Sequence, residues 1–198
     1  MKRLPQLIAI LLLCAAHQHA HADAERIDVA PDKDYAHAAS GISLPATIPI
    51  NNEASFRREH ANRFDEKALN VSGSYYCEQP AVATIYIYPL AANRTLDDAF
   101  ARVIDDIREV YVDINMETEK ESITAPSSIA AMPLQGLHAR MTLRHPDVAE
   151  PRGSDVYLFQ AGNWLIKLRI SYPTESKADV TPFFEKLAAA ITRTYRPK

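Results

Sequence analysis

Arg140, Arg144, Lys167 and Arg169 fall on the polar phase of two strand-like runs, LHARMTLRH and WLIKLRISY. Successive strand side chains point to opposite faces, so Arg140 and Arg144 share a side about 13 Å apart, and Lys167 and Arg169 share a side about 7 Å apart. If both strands turn their apolar sets to one core, the four cations form a common surface on the other side of the sheet. Arginine grips phosphate or carboxylate through two parallel hydrogen bonds and lysine acts as a point charge, so this pattern suits retention of an anion. The spacing fits a polymer or several phosphates better than one small ion. The alternative is an ordinary solvated face, or one paired with the chain's acidic helix.

Cys77 offers a second chemistry. A thiol becomes a nucleophile when a base sits beside it, and His60 and His138 are the bases considered, which gives a small hydrolase or thiol enzyme as the rival function. A strand residue of little reactivity is the alternative. No phosphate loop, dinucleotide-binding glycine pattern, zincin helix or nucleophile elbow occurs in the chain. His37, His60, His138 and His145 are scattered without metal-ligand spacing, so they are expected at the surface, with no metal and no cofactor.

Cys14, His17, His19 and His21 lie close together, but behind a cationic head, MKR, and an apolar run, LPQLIAILLLCAA. That order is a secretory signal, and the small-x-small pattern Ala20-His21-Ala22 places cleavage after Ala22, so the histidines leave with residues 1–22. Cleavage after Ala16 is the alternative; it would expose His17 at the amino terminus as part of a copper or nickel chelate. The apolar run is short for a membrane span. Export to a bacterial periplasm, or secretion, is therefore expected. Of 22 basic residues the signal takes Lys2 and Arg3, which leaves 20 against 25 acidic ones, a net charge of −5 that does not suit nucleic-acid binding.

The elements that must position these residues follow from periodicity. Residues 23–40 show no apolar period and are expected to form a flexible amino-terminal arm, leaving residues 41–198 as a single domain. From Gly41 come strand-like segments, among them NVSGSYYCE and AVATIYIYP. Leu96, Ala99, Phe100, Val103, Ile104, Ile107, Val110, Tyr111 and Ile114 recur at helical spacing behind Thr95 and Asp98, a capping-box pair. The polar side of that helix is acidic, with Asp97, Asp98, Asp105, Asp106, Glu109 and Asp113 against Arg102 and Arg108. It reads either as a solvated face or as one that attracts a cation or a basic partner. METEKESIT and LQGLHARMTLRH read as further strands, and SDVYLFQAGNWLIKLRISYP as a hairpin turning at Gly162-Asn163. A closing helix is expected from about Asp179 or Thr181, with Pro182 in its first turn.

Strands, helix, strands, helix give an α+β class, a mostly antiparallel sheet of six to seven strands packed with two long helices. The signal, the ATIYIYP strand before a long helix, the GNWLIKLRISYP hairpin and the closing helix resemble the α/β/α sandwich of PsbP-type extrinsic photosystem subunits. DcrB-type bacterial envelope proteins and the Ran-binding nuclear import factors share that fold. The resemblance covers about residues 41–195 and rests on element order. It implies a non-catalytic accessory or binding role. The partner is expected to be a protein or an envelope component, and the basic residues on the two strands point to an anionic one.

Overall fold

The structure is a computed structural model and describes residues 24–49, 55–77, 81–125 and 134–176. Its α-helix, α1 (Leu96–Val110), begins at the capping box: Thr95 Oγ1 accepts from the Asp98 backbone N–H at 3.1 Å, and Asp98 Oδ2 accepts from the Thr95 N–H at 2.9 Å. Phe100, Val103, Ile104 and Ile107 are buried along one stripe, each contributing about 1.5 to 3 kcal/mol by leaving water. The helical spacing in the sequence runs on to Ile114, but the chain leaves the helix at Tyr111, which has extended backbone.

The strands are β1 (Glu25–Arg26), β2 (Tyr35–Ala36), β3 (Ser43–Leu44), β4 (Thr47–Pro49), β5 (Ser55–Arg63), β6 (Val71–Tyr76), β7 (Val82–Pro89), β8 (Val112–Ala125), β9 (Leu134–Arg144), β10 (Arg152–Ala161) and β11 (Trp164–Pro173). Nine form one antiparallel sheet in the order β1-β5-β6-β7-β11-β10-β9-β8, with β4 also paired to β5, and β2 and β3 pair separately. After β7 the chain crosses one face as α1, enters the far edge as β8, and meanders back through β9 and β10 until β11 closes against β7. Gly162, at φ 61°, opens the two-residue turn between Ala161 and Trp164, a position where a residue without Cβ costs least.

Alternation divides the sheet into two apolar layers. Under α1 lie Leu137, Ala139, Met141, Leu143, Val156, Leu158 and Leu165. On the opposite face, Ile85, Ile87, Tyr157, Phe159, Ile166, Leu168, Ile170 and Tyr172 pack with Ile42, Leu44, Ile48 and Phe56. No helix among the described residues is long and apolar enough to cross a membrane.

This architecture corrects the expected α+β sandwich of six to seven strands with two long helices. It is mostly β, with eleven strands and one helix of 15 residues among those described. Short strands β1 to β4 carry too few residues to show a period, and β8 runs for 14 residues, beginning four before METEKESIT and ending one after it. The expected closing helix from Asp179 and the signal of residues 1–22 lie outside the described residues. The arm expected over residues 23–40 is docked from residue 24 on. Arg58, only 2 % exposed, donates to the carbonyls of Leu44, Ala30 and Lys33, and β1 pairs with β5.

Candidate functional site

Three adjacent strands bring the polar phase of β9 against a carboxylate that the sequence hides in an apolar run. Register pairs Arg140 with Asp155 and His138 with Tyr157 across β9 and β10, and Asp155 with Ile170 across β10 and β11. All of these side chains stand on the face away from α1. Asp155 is 1 % exposed. Its Oδ1 accepts from His138 Nε2 at 2.6 Å, from Arg140 Nε at 2.8 Å and from the Tyr157 hydroxyl at 3.4 Å, and its Oδ2 accepts from the Tyr172 hydroxyl at 2.6 Å. Tyr172 is diagonal to Asp155 across the strand pair and reaches it over Gly153.

A buried carboxylate is costly unless its charge and lone pairs are met, and here they are. Burial alone would push the Asp155 carboxyl up; the hydrogen bonds from His138 and Tyr172 and the Arg140 charge outweigh it and hold the group below the ordinary carboxylate value. The same carboxylate works in the opposite direction on its phenols. Desolvation first, then the Asp155 charge, raises both Tyr157 and Tyr172. His138 stacks on Tyr157, ring centroids 4.3 Å apart and planes 10° apart, and its Nδ1 meets Glu121 Oε2 of β8 at 3.3 Å. The cluster ties four strands together.

The four cations expected to share a surface do not share a face. Arg140 and Arg144 stand with Asp155 on the face away from α1, whereas Arg169 pairs with Val156, and Lys167 with Leu158, on the α1 face. Arg140 is neutralised by Asp155, and Arg144 bonds Asp113 Oδ2 through Nε at 2.8 Å and NH2 at 2.6 Å. On the other face the Lys167 ammonium lies 4.1 Å from the centre of the Tyr86 ring, and the Arg169 guanidinium lies 4.4 Å from that of Tyr111, with Nε donating to Ser154 Oγ at 3.1 Å. Burial, then the neighbouring Arg169 charge, brings the Lys167 ammonium down to about 8, with Asp106 opposing.

Cys77 and its two candidate bases stay apart. Cys77 packs at the margin of the core away from α1, while His60 pairs with Ser74 of β6, whose row continues to Thr84 on the α1 face. His138 lies four strands from β6, about 19 Å at ordinary strand spacing. His37 and His138, expected at the surface, are 1 % and 7 % exposed. His37 Nε2 donates to the Ala68 carbonyl at 2.7 Å, and Nδ1 faces Ser40 Oγ at 2.7 Å. The acidic side of α1 is engaged locally, Arg102 with Asp106 at 2.8 Å, Arg108 with Asp105 at 3.5 Å, and Asp97 with Lys120 at 2.7 Å.

Sequence reasoning passed over Asp155, Tyr157, Tyr172 and Glu121. One signal was available: a lone Asp at the head of the apolar run VYLF in SDVYLFQA is seldom tolerated in a covered strand without a cationic partner.

No family model matches the chain, and no curated protein matches it. Among solved structures it is similar to the solution structure of cyanobacterial PsbP from Synechocystis sp. PCC 6803, with 13% identity, a TM-score of 0.42, and coverage of 84% of this chain and 92% of that one. That likeness assigns no residue a role.

Proposed function

We propose that the protein is a non-catalytic accessory or binding protein exported to the bacterial envelope. The observation that carries this reading is the closed state of its clustered titratable groups. Both oxygens of Asp155 and both ring nitrogens of His138 are spent on neighbouring side chains, and no serine, threonine or cysteine nucleophile bonds to that histidine among the described residues. Such a cluster holds strands together and leaves no base poised for a substrate. The rival thiol enzyme needs Cys77 beside a base, and both histidines considered for it lie elsewhere.

Within this reading an anionic envelope component is the ligand, and its contact belongs to Lys167. That ammonium rests on the Tyr86 ring and forms no ion pair among the described residues, and an incoming phosphate or carboxylate would supply the counter-charge it lacks there. The deciding experiment pairs native mass spectrometry of the purified chain, before and after stripping small molecules, with a broad hydrolase and thiol-transfer screen. A retained anionic ligand and no turnover support the proposal. Turnover that disappears in Cys77→Ala overturns it in favour of the thiol enzyme.

A further inference from the structure

His138 bridges two carboxylates on different strands, and a neutral imidazole cannot serve both. Its Nε2 meets Asp155 Oδ1 of β10 at 2.6 Å and its Nδ1 meets Glu121 Oε2 of β8 at 3.3 Å. Neutral imidazole has one donor and one lone pair, whereas the imidazolium has two donors. The two contacts are unequal. Asp155 is buried and further held by Arg140, Tyr157 and Tyr172, so it keeps the Nε2 proton; Glu121, with its side chain 59 % exposed, can turn to water. Loss of one proton therefore sets the Nδ1 lone pair against the Glu121 oxygen, and that contact opens.

What it releases is the edge of the sheet. Among the described residues β8 is the terminal strand of the sheet, paired with β9 alone. Its register against β9 shifts three times, between Val112 and Asn115, between Met116 and Thr118, and between Thr118 and Glu121, so its backbone ladder is interrupted. A side-chain tie at Glu121 lies just beyond the last shift, where regular pairing resumes through Ser122, Ile123 and Thr124.

We infer that His138 is a proton-operated latch: its imidazolium fastens edge strand β8 to β10 through Glu121 and Asp155, and its neutral form lets the Glu121 end of β8 loosen. The groups facing the ring are Glu121 on β8, Asp155 and Tyr157 on β10, and Arg140 on β9, with Tyr172 of β11 acting through Asp155 and Glu117 of β8 near Tyr172. Arg140 is a fixed charge that opposes the imidazolium, and the two carboxylates outnumber it. When β8 loosens from Glu121 onward, the β9 backbone groups it pairs with there are bared, so the latch sets how firmly this edge of the sheet is closed.

The test is amide hydrogen exchange of the whole chain from pH 5 to 8, corrected for intrinsic exchange, beside an NMR titration of the His138 ring. Protection at Ser122 to Thr124 should fall about five- to tenfold as the ring loses its proton, the fold-change of one hydrogen bond. The β9–β10 ladder should hold across the same range. Glu121→Gln keeps size and fold while removing the carboxylate charge, and should reduce the pH step at least threefold. A wild-type profile flat through the His138 titration, or a full step retained in Glu121→Gln, overturns the latch.

Discussion

Tyr172 lies directly over its cross-strand partner Gly153: a Cβ at Gly153 would stand 2.3 Å from the Tyr172 ring. Only a residue without a side chain lets the ring lie flat there and carry its hydroxyl to Asp155 Oδ2. Gly153→Ala must therefore push the ring aside and break that bond. The expected cost is about 1 to 3 kcal/mol, read by denaturant unfolding. Stability equal to wild type would show that the ring has room to move.

Phe100 is 2 % exposed beneath α1. Phe100→Ala should lose about 3 to 5 kcal/mol, the transfer of its ring plus the cavity left between helix and sheet. A loss under about 1 kcal/mol would mean that the α1 layer collapses around the gap or that the helix contributes little.

Asp155 gives the acid limb of the stability curve. Its folded carboxyl sits below the ordinary value, so its contribution is complete above the unfolded value, about 3.9, and drains away as pH falls through the lower folded value. Asp155→Asn leaves Arg140 without its counter-charge and weakens the acceptor for His138 Nε2, and should cost about 3 to 5 kcal/mol near neutrality. Unfolding curves from pH 3 to 7 should show the variant losing less than wild type below about pH 4. Parallel acid limbs in the two proteins would remove Asp155 from that role.

His37 should act in the same direction but in a higher pH window. Desolvation holds its imidazole below the ordinary value, against the raising effects of the Ala68 carbonyl and the Asp65 charge. The neutral ring satisfies both its neighbours, donating at Nε2 and accepting at Nδ1. Below about pH 6.5 the unfolded chain takes a proton that the folded ring resists, so stability falls as pH drops toward the folded value. His37→Gln, which can still donate to Ala68, should flatten that decline between pH 7 and 5.5. If the decline persists unchanged, it originates elsewhere.

The sequence made individual strands legible and left their mutual register hidden. Trp164, Ile166, Leu168, Ile170 and Tyr172 alternate against Lys167, Arg169 and Ser171, and the structure keeps that division. The α1 stripe and its capping box were legible for the same reason, since both are local. Whether Arg140 stands beside Lys167 or behind it depends on how β10 aligns with both neighbours, and β10 is buried on both faces, so its pattern carries no phase. The docking of residues 24–40 was hidden for another reason. Arg58 holds that segment through backbone carbonyls, which carry no residue identity.

Lys167 carries the anion-binding reading, and the two faces of the sheet supply its control. Its ammonium, brought down to about 8, leans on Tyr86 and forms no ion pair among the described residues, whereas Arg144 on the far face is bonded to Asp113. Co-sedimentation with anionic vesicles should therefore weaken about fivefold in Lys167→Gln, the effect of one cation near such a surface, and stay unchanged in Arg144→Gln. Binding should fall steeply with salt and fade as pH rises through 8, because the free amine loses the proton that attracts the anion. The fade with pH and the Lys167→Gln loss should therefore coincide. Equal binding to neutral vesicles, or equal loss in both variants, would remove Lys167 as the contact and leave its ring-stacked ammonium as a packing feature of the sheet.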